Sequence, residues 1–285
     1  MPSRTERKAT GRVAIVGAGV MAEAMIAGLL ADHAVTPRNL VASHPRRERR
    51  EALARRHGIV VQARNAEAVA GADIVVLAVK PQMLGAVMRE IGPKLDDGQV
   101  VLSIVAGATL RTLVQGLDHR AVVRAMPNTP SQIRRGITVW AASSACNRTQ
   151  KELARSVLRA IGSEKEVADE TFVAMATALS GTGPTYLFAV MEALIDAGVH
   201  LGFPRELAHD LVVETLIGSA EYAAQSELHP AQLRNLVTSP GGTSAAAIYE
   251  LEKGRLRTVL SDAVWAAYRR TLELGERLEA ETTDT

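Results

Sequence analysis

Residues 12–25 read Arg-Val-Ala-Ile-Val-Gly-Ala-Gly-Val-Met-Ala-Glu-Ala-Met, and this stretch decides the fold. A run rich in β-branched residues, Val13 to Val16, enters a glycine turn that opens a long run of Ala, Met, Ile and Leu. This order predicts a strand, a tight turn and a helix. Gly17 allows the sharp turn, Gly19 lets the backbone approach a pyrophosphate, and Ala22 stands where a third glycine often packs the helix on the strand. We therefore predict a dinucleotide-binding unit in which the N-terminus of the helix faces the phosphates.

The end of the second predicted strand bears on the choice of dinucleotide. A chain that prefers NAD usually carries Asp or Glu about 20 residues after the glycines, but residues 43–47 read Ser-His-Pro-Arg-Arg. A hydroxyl and two guanidinium groups suit a 2′-phosphate, because arginine binds phosphate through paired, charge-assisted hydrogen bonds. We predict that Ser43, Arg46 and Arg47 bind the cofactor, with NADPH preferred and NADH as the alternative. The competing interpretation is a solvated helix face on which these arginines alternate with glutamates.

The periodicity of the chain divides it into two halves. Up to about residue 167, strand-like and helix-like segments alternate, which predicts parallel βαβ units with helices on both faces of a sheet. The strands are predicted at 12–17, 39–42, 58–61, 73–79, 99–104, 120–125, 137–141 and 164–167. After about residue 168 only helical runs follow, punctuated by glycine and proline. We therefore predict an α/β protein with a Rossmann-like dinucleotide-binding domain at 11–168, an all-helical domain at 169–285 and a disordered tail at 1–10.

Composition excludes several classes of function. The formal net charge is +2, so nothing points to nucleic acid or to an acidic membrane surface. No apolar stretch reaches the roughly 18 residues of a membrane span. The single cysteine, Cys146, supports neither a disulfide framework nor a zinc site, and the histidines lack ligand-like spacing. We expect no metal and a reducing compartment, the cytoplasm.

The first long helix of the second half bears on assembly. Between Thr185 and His200 the charged and titratable residues, Glu192, Asp196 and His200, recur at every fourth position and form one narrow stripe. A helix that is apolar around most of its circumference must be buried nearly all round, which a domain of this size can hardly do alone. We predict that a second copy covers it in a two-fold dimer. The alternative is the central helix of a monomeric bundle.

A second unusual stretch, residues 239–244, reads Ser-Pro-Gly-Gly-Thr-Ser just before a helix. The two glycines predict a nest of backbone N–H groups, and the start of the helix is an anion site suited to a carboxylate. Thr243 or Ser244 is predicted to cap the helix. An ordinary glycine-rich turn with a cap is the competing interpretation.

Taken together, the motifs resemble those of the pyrroline-5-carboxylate reductase family, and the resemblance runs from about residue 12 to residue 278. It depends on residues 17–25 (Gly-Ala-Gly-Val-Met-Ala-Glu-Ala-Met), 79–82 (Val-Lys-Pro-Gln), 124–130 (Arg-Ala-Met-Pro-Asn-Thr-Pro), 180–186 (Ser-Gly-Thr-Gly-Pro-Thr-Tyr) and the segment 239–244. The resemblance implies reduction of L-1-pyrroline-5-carboxylate to L-proline by hydride transfer to a cyclic imine. It also implies a helical dimerisation domain, and dimers that often assemble as a pentamer of dimers.

The resemblance also assigns roles to residues. In that family the Ser-Pro-Gly-Gly-Thr segment and the following helix hold the substrate, and a threonine hydroxyl contacts the ring nitrogen. That position is Ser244 here, with Thr243 and the N–H groups of 241–244 at the carboxylate. The implied substrate-binding residues are Glu227, Ser239, Gly241, Gly242, Thr243 and Ser244. The carboxyl ends of the predicted strands and the resemblance together give the cofactor-binding residues: Gly17, Gly19, Val20, Met21, Ala22, Ser43, Arg46, Arg47, Asn65, Ala78, Val79, Lys80, Pro81, Met126 and Asn128.

This chain departs from the family pattern at three positions. Val20 replaces a common Asn, Thr182 replaces a common Ser, and Ser244 replaces the threonine. Serine keeps the hydroxyl but loses the methyl that stiffens the rotamer. The alternatives kept open are a reductase of a related cyclic imine or ketimine carboxylate, and an NADPH-binding sensor without turnover. A β-hydroxyacid dehydrogenase is disfavoured, because the second half offers no suitable catalytic lysine.

Overall fold

The computed structural model describes residues 11–283, with side chains for residues 11–281. The predicted disordered tail, residues 1–10, lies outside the described residues. The chain divides into two compact units after Thr182. The second unit is Gly183–Ala266, and the last helix belongs to the first unit from Ala267 onward.

The first unit is built on an eight-stranded sheet, counted over the described residues, with the order β3-β2-β1-β4-β5-β6-β7-β8. The strands are β1 (Val13–Val16), β2 (Leu40–Ser43), β3 (Val60–Gln62), β4 (Ile74–Leu77), β5 (Val100–Ser103), β6 (Val122–Met126), β7 (Gly136–Ala142) and β8 (Gly162–Glu166). Every predicted strand is present, and β4 lies buried between β1 and β5, as its apolar sequence requires. The predicted Rossmann-like fold is confirmed.

Helices cover both faces of this sheet. They are α1 (Val20–Ala31), α2 (Arg47–His57), α3 (Asn65–Val69), α4 (Leu84–Ile91), α5 (Leu110–Leu117), α6 (Arg148–Arg159) and α7 (Thr171–Ala176). Alternate residues of β1 enter two different cores. Val13 and Ile15 pack with Met25, and Ala14 and Val16 pack with the opposite cluster. Because successive side chains of a strand point to opposite faces, these two clusters are the two faces of the sheet.

The pairing of β6 with β7 corrects the expectation of wholly parallel βαβ units. These two strands run antiparallel, whereas the other neighbouring pairs in the sheet run parallel. The connection holds only a short 3-10 turn, Thr129–Ile133. A parallel pair needs a crossover of a dozen or more residues, usually through a helix, so this short connection can only reverse the chain.

The second unit is helical and lacks a core of its own. Its helices are α8 (Gly183–His200), α9 (Arg205–Gln225), α10 (Pro230–Leu236), α11 (Thr243–Lys253) and the first part of α12 (Leu256–Thr283). Among its residues only Pro184 and Ala208 are buried. Large apolar side chains are exposed along α8, with Leu187 at 55% and Phe188 at 58%. Exposed apolar surface of this extent is typical of an interaction surface.

The boundary between compact units differs from the one expected at residue 168. Helix α7 packs against β6 and β7 and so belongs with the sheet. A π-helical turn, Thr177–Gly181, follows α7 and precedes the border at Thr182. The sequence marks where strands stop, but it does not mark which unit a short helix packs on.

Candidate cofactor and substrate sites

The glycine turn after β1 packs closely against the residues that follow β4. Gly17 adopts a φ of +87°, and a Cβ there would lie 2.4 Å from Val79 Cγ1 and 3.0 Å from the Ala78 carbonyl oxygen. Gly19 is the N-cap of α1, and no side chain caps this helix. Ala22 is buried in the core, as expected from its place in the motif. The first N–H groups of α1 therefore have no side-chain partner, which suits a phosphate.

Helix α2 braces this turn through Arg49, a residue that the sequence motifs do not single out. Arg49 donates to the Ala18 carbonyl oxygen at 3.1 Å and pairs with Glu23 at 2.6 Å. Glu23 also accepts from Arg56 and faces His57. Partial burial would raise the pKa of Glu23, but the hydrogen bonds from these three side chains outweigh burial and lower it to about 2. The sequence signal for this network was an acidic residue, Glu23, in the first turn of an apolar helix.

Ser43, Arg46 and Arg47 were predicted together as cofactor-binding residues at the end of β2, and their surroundings in the structure differ. Ser43 is fully buried, and its hydroxyl donates to Asn65 Oδ1 at 2.8 Å. Arg47 is exposed and paired with Glu51 at 2.7 Å, one helical turn on. The side chain of Arg46 is exposed and has no hydrogen bond or ion pair within the described part of the chain. Of the described arginines at this strand end, only Arg46 therefore offers a free guanidinium group.

The residue between them, His44, is held by the local backbone. Its Nδ1 accepts the backbone N–H of Arg46 at 3.2 Å, and Arg50 donates to the carbonyl oxygens of His44 and Pro45. Burial, and after it the charges of the neighbouring arginines, lower the pKa of His44. The loop after β2 is thus fixed, with a neutral ring beside cationic side chains.

The residues that follow β4 are of two kinds, with Ala78 and Val79 packed against the glycine turn and Lys80 exposed. Ala78 and Val79 are half-buried, and the Ala78 N–H donates to the Val16 carbonyl oxygen, which holds them against the glycine turn. Lys80 is exposed, and none of residues 11–283 pairs with its ammonium group. Pro81 opens a 3-10 turn that leads the chain away from the sheet.

Asn65 and Asn128 both serve as structural anchors. Asn128 Oδ1 accepts the backbone N–H of Ile137 at 3.0 Å and so ties the loop after β6 to β7. Asn65 is bonded at both ends of its amide, to Ser43 and to Glu90. Met126 is half-buried, and its Cε lies 2.9 Å from where a Cβ on Gly181 would stand. Glycine at 181 therefore lets the π-helical turn pack on Met126.

An ion pair between a buried arginine on β6 and a partly buried glutamate was not predicted. Arg124 on β6 is 6% exposed and pairs with Glu170 at 2.9 Å. The same carboxylate oxygen of Glu170 accepts the N–H of Leu110, the first residue of α5. A buried charge needs a partner, so an arginine in an apolar strand was the signal available in the sequence.

In the second unit, residues 239–242 form a glycine turn at the place where the sequence predicts a nest of N–H groups. Gly241 has a φ of +70°, and the N–H of Gly242 donates to the Ser239 carbonyl oxygen at 3.0 Å. The expected cap is wrong: Gly242 itself is the N-cap of α11, and no side chain caps the helix. Because the helix begins at Thr243, the hydroxyls of Thr243 and Ser244 lie past the capping position. No residue in the described ranges bonds either hydroxyl.

Glu227 precedes the glycine turn in the sequence and is not part of it. It lies in the connection between α9 and α10, is exposed, and has no bonded partner among residues 11–283. The side chain of Ser239 is exposed as well. The start of α11 therefore has two hydroxyls, those of Thr243 and Ser244, that no described residue bonds, next to the glycine turn.

Residues 11–283 offer neither a metal centre nor a membrane span. No group of three or more His, Cys, Asp and Glu side chains among them could hold a metal ion. No helix in this range is both long and apolar enough to cross a membrane.

Comparison with known proteins gives consistent matches over both halves. Residues 170–274 match the family model described as pyrroline-5-carboxylate reductase dimerisation, and residues 12–107 match the model described as NADP oxidoreductase, coenzyme F420-dependent. The pyrroline-5-carboxylate reductase of Pseudomonas aeruginosa is 42% identical over 270 residues, covering 94% of this chain and 98% of that protein.

Solved structures of pyrroline-5-carboxylate reductases are similar to this chain as well. A pyrroline-5-carboxylate reductase from Coxiella burnetii has a TM-score of 0.86 at 36% identity, and covers 93% of this chain and 98% of its own. A pyrroline carboxylate reductase from Plasmodium falciparum, crystallised with NADP bound, has a TM-score of 0.85 at 30% identity, with the same coverage of each chain. These similarities extend over nearly the whole chain and both of its halves.

Proposed function

The chain belongs to the pyrroline-5-carboxylate reductase family, and from this premise we propose that it reduces L-1-pyrroline-5-carboxylate to L-proline with NADPH, the last step of proline biosynthesis. It is an NAD(P)H-dependent oxidoreductase. The observation that carries the proposal is the start of α11, where a glycine turn, a helix N-terminus without a side-chain cap and two hydroxyls unbonded within the described residues lie together. This combination matches a small substrate with one carboxylate and one ring nitrogen.

On the sheet unit, we assign the cofactor phosphates to the glycine turn and the free cations. The uncapped start of α1 suits the pyrophosphate, and Gly17 lets the turn before this helix pack closely against Ala78 and Val79. Arg46 is the arginine assigned to the 2′-phosphate, because Arg47 already has an ion-pair partner in Glu51. Lys80 supplies a second free cation at the same edge of the sheet. NADPH, when bound, supplies the hydride that reduces the imine carbon.

On the helical unit, we assign the substrate to α11. The carboxylate is held by the first N–H groups of the helix and the Thr243 hydroxyl, where the helix dipole favours negative charge. The Ser244 hydroxyl bonds the ring nitrogen and orients the C=N bond. A protonated imine is already electrophilic, so the main contribution of these residues is to position it. Ser239 closes the turn with its carbonyl oxygen, and Glu227 is proposed to orient the segment.

We also propose that the chain forms a homodimer, and by its resemblance a pentamer of dimers. A dimerisation domain is present, and its helices leave leucine and phenylalanine side chains exposed in a single copy. The lone, buried Cys146 fits a reducing environment, and we place the enzyme in the cytoplasm.

Steady-state kinetics of Ser244→Ala test the site. The absorbance of NADPH is followed with pyrroline-5-carboxylate as substrate, alongside Ser163→Ala, a matched change on the exposed face of the edge strand β8. We expect kcat/KM for the imine to fall roughly tenfold, about 1.4 kcal/mol, with the KM of NADPH unchanged. Ser163→Ala should match the wild type. No NADPH consumption by the wild type above the enzyme-free control would refute the function itself.

A further inference from the structure

Glu90, a residue on α4, forms the cap of the neighbouring helix α3. Its Oε1 accepts two backbone N–H groups, from Asn65 at 2.9 Å and from Ala66 at 3.2 Å. Its Oε2 accepts the side-chain Nδ2 of Asn65 at 2.7 Å. Arg64, the N-cap of α3, provides no side-chain cap of its own. One carboxylate, 25 residues along the chain, therefore holds both the backbone and the side chain of Asn65.

This contact determines which way the amide of Asn65 faces. A carboxylate can only accept hydrogen bonds, so the amide nitrogen must point to Glu90 and the amide oxygen must point away from it. The oxygen then accepts the hydroxyl of the fully buried Ser43, at 2.8 Å. The nitrogen retains a second N–H, which no described residue accepts. Ser43, Asn65 and Glu90 thus form one hydrogen-bonded chain with one spare donor.

We propose that Glu90 is a positioning residue for the 2′-phosphate of NADPH and acts by presenting the second amide N–H of Asn65 to it. The inference rests on the proposed function, since it assumes that NADPH binds at this edge of the sheet. The end of the second strand is where such folds contact the ribose 2′ position, and Asn65 is bonded to the last residue of that strand. A phosphate accepts hydrogen bonds but donates none, so only the orientation imposed by Glu90 suits it.

The negative charge of Glu90 acts in the opposite direction, because it repels a phosphate. Glu90 is exposed, and the high dielectric of water weakens the interaction between charges at an exposed site. The hydrogen bond is a short-range contact with a charged acceptor, which is the stronger kind. We therefore expect the orienting effect to outweigh the repulsion.

Glu90→Gln tests the inference with little change of shape. Glutamine has one acceptor oxygen, so its amide nitrogen must face either the backbone N–H groups or the side-chain donor of Asn65. Binding is measured by fluorescence titration with NADPH and with NADH, without turnover. Glu67→Gln is the matched control, because Glu67 lies on the same helix as Asn65 and pairs only with Arg64 among the described residues.

We expect Glu90→Gln to raise the Kd of NADPH about tenfold and that of NADH less than twofold, with Glu67→Gln within twofold of the wild type for both. An unchanged or tighter Kd for NADPH would overturn the inference. So would an equal loss for both cofactors, which would mean that Glu90 only stabilises α3.

Asn65→Ala provides the second test. If Glu90 acts through the Asn65 amide, then Glu90→Gln should not weaken NADPH binding further in the Asn65→Ala background. An equal loss in both backgrounds would contradict the proposed route. Wild-type turnover of pyrroline-5-carboxylate is measured on the same preparation: its absence refutes the proposed function, whereas turnover with unaltered Glu90→Gln binding refutes this inference alone.

Discussion

Replacing Gly17 by alanine should damage both the stability of the sheet unit and the binding of NADPH. A φ of +87° costs a residue with a Cβ roughly 1–2 kcal/mol. The Cβ would also meet Val79 Cγ1 at 2.4 Å and two backbone atoms at 3.0 Å, the Ala78 oxygen and the Val79 nitrogen. The valine side chain can rotate, but the backbone atoms must shift. Such overpacking costs a further 1–3 kcal/mol or so, giving about 2–5 kcal/mol in all.

Gly58→Ala separates the two contributions. Gly58 also has a left-handed φ, +66°, at the end of α2, but a Cβ added there would meet no atom within 4 Å. This substitution should therefore cost only the conformational part, roughly 1–2 kcal/mol. The thermal midpoint of each variant is read by differential scanning fluorimetry, and the Kd of NADPH by titration.

We expect Gly17→Ala to unfold at a lower temperature than Gly58→Ala and to bind NADPH at least about tenfold more weakly, because the backbone that shifts lines the phosphate site. Gly58→Ala should keep the wild-type Kd. Equal thermal midpoints for the two variants would show that the contacts at Gly17 cost nothing. A wild-type Kd in Gly17→Ala would show that the turn does not approach the cofactor.

Three further predictions follow from the charges and surfaces. The pKa of Glu23 is about 2 against an ordinary 4.5, so its ionised form stabilises the fold above pH 4.5, and that stability, about 3 kcal/mol at most, is lost as the pH falls toward 2. Glu23→Gln should therefore reduce the dependence of the thermal midpoint on pH between 4.5 and 2. An unchanged pH dependence in this variant would argue against the hydrogen-bonded network around Glu23. Arg46→Ala should raise the KM of NADPH roughly tenfold or more while leaving that of NADH within twofold. Arg47→Ala should raise the KM of NADPH far less. A larger rise in Arg47→Ala than in Arg46→Ala would assign the 2′-phosphate to Arg47. Phe188→Asp should dissociate the dimer, as measured by sedimentation velocity, and a wild-type sedimentation coefficient would place the interface elsewhere.

The strands and the glycine turn could be predicted from the sequence because their signals are local. Alternation of short β-branched runs with helical runs is visible residue by residue, and Gly17 and Gly241 both adopt the left-handed backbone that their turns require. The antiparallel direction of β7 was not predicted, although the short connection before it carried the information. Boundaries set by packing, such as the border at Thr182, have no local signal.

The roles of individual polar side chains were harder to predict, because they depend on which partner reaches each group first. Ser43 is predicted at the cofactor, and nothing in the sequence indicates that its hydroxyl is buried and donates to Asn65. That partner follows a different strand, so no local pattern relates the two. The hydroxyls of Thr243 and Ser244 were expected to cap α11, and the helix instead begins at Thr243 itself. A shift of one residue thus changes a capping group into a group free to bind a ligand.

Arg46 and Arg47 show where simple helical arithmetic could have gone further. The two are adjacent and chemically identical, and composition cannot separate them. Arg47 is the first residue of α2 and has Glu51 four positions later, on the same face of the helix, where an ion pair forms. Arg46 is the N-cap, outside the helix, and the residue four positions later is another arginine that bonds the carbonyl oxygens of 44 and 45. The periodicity of one helix therefore leaves one of these two cations free, and the contribution of the arginines to the preference for NADPH over NADH should come from Arg46.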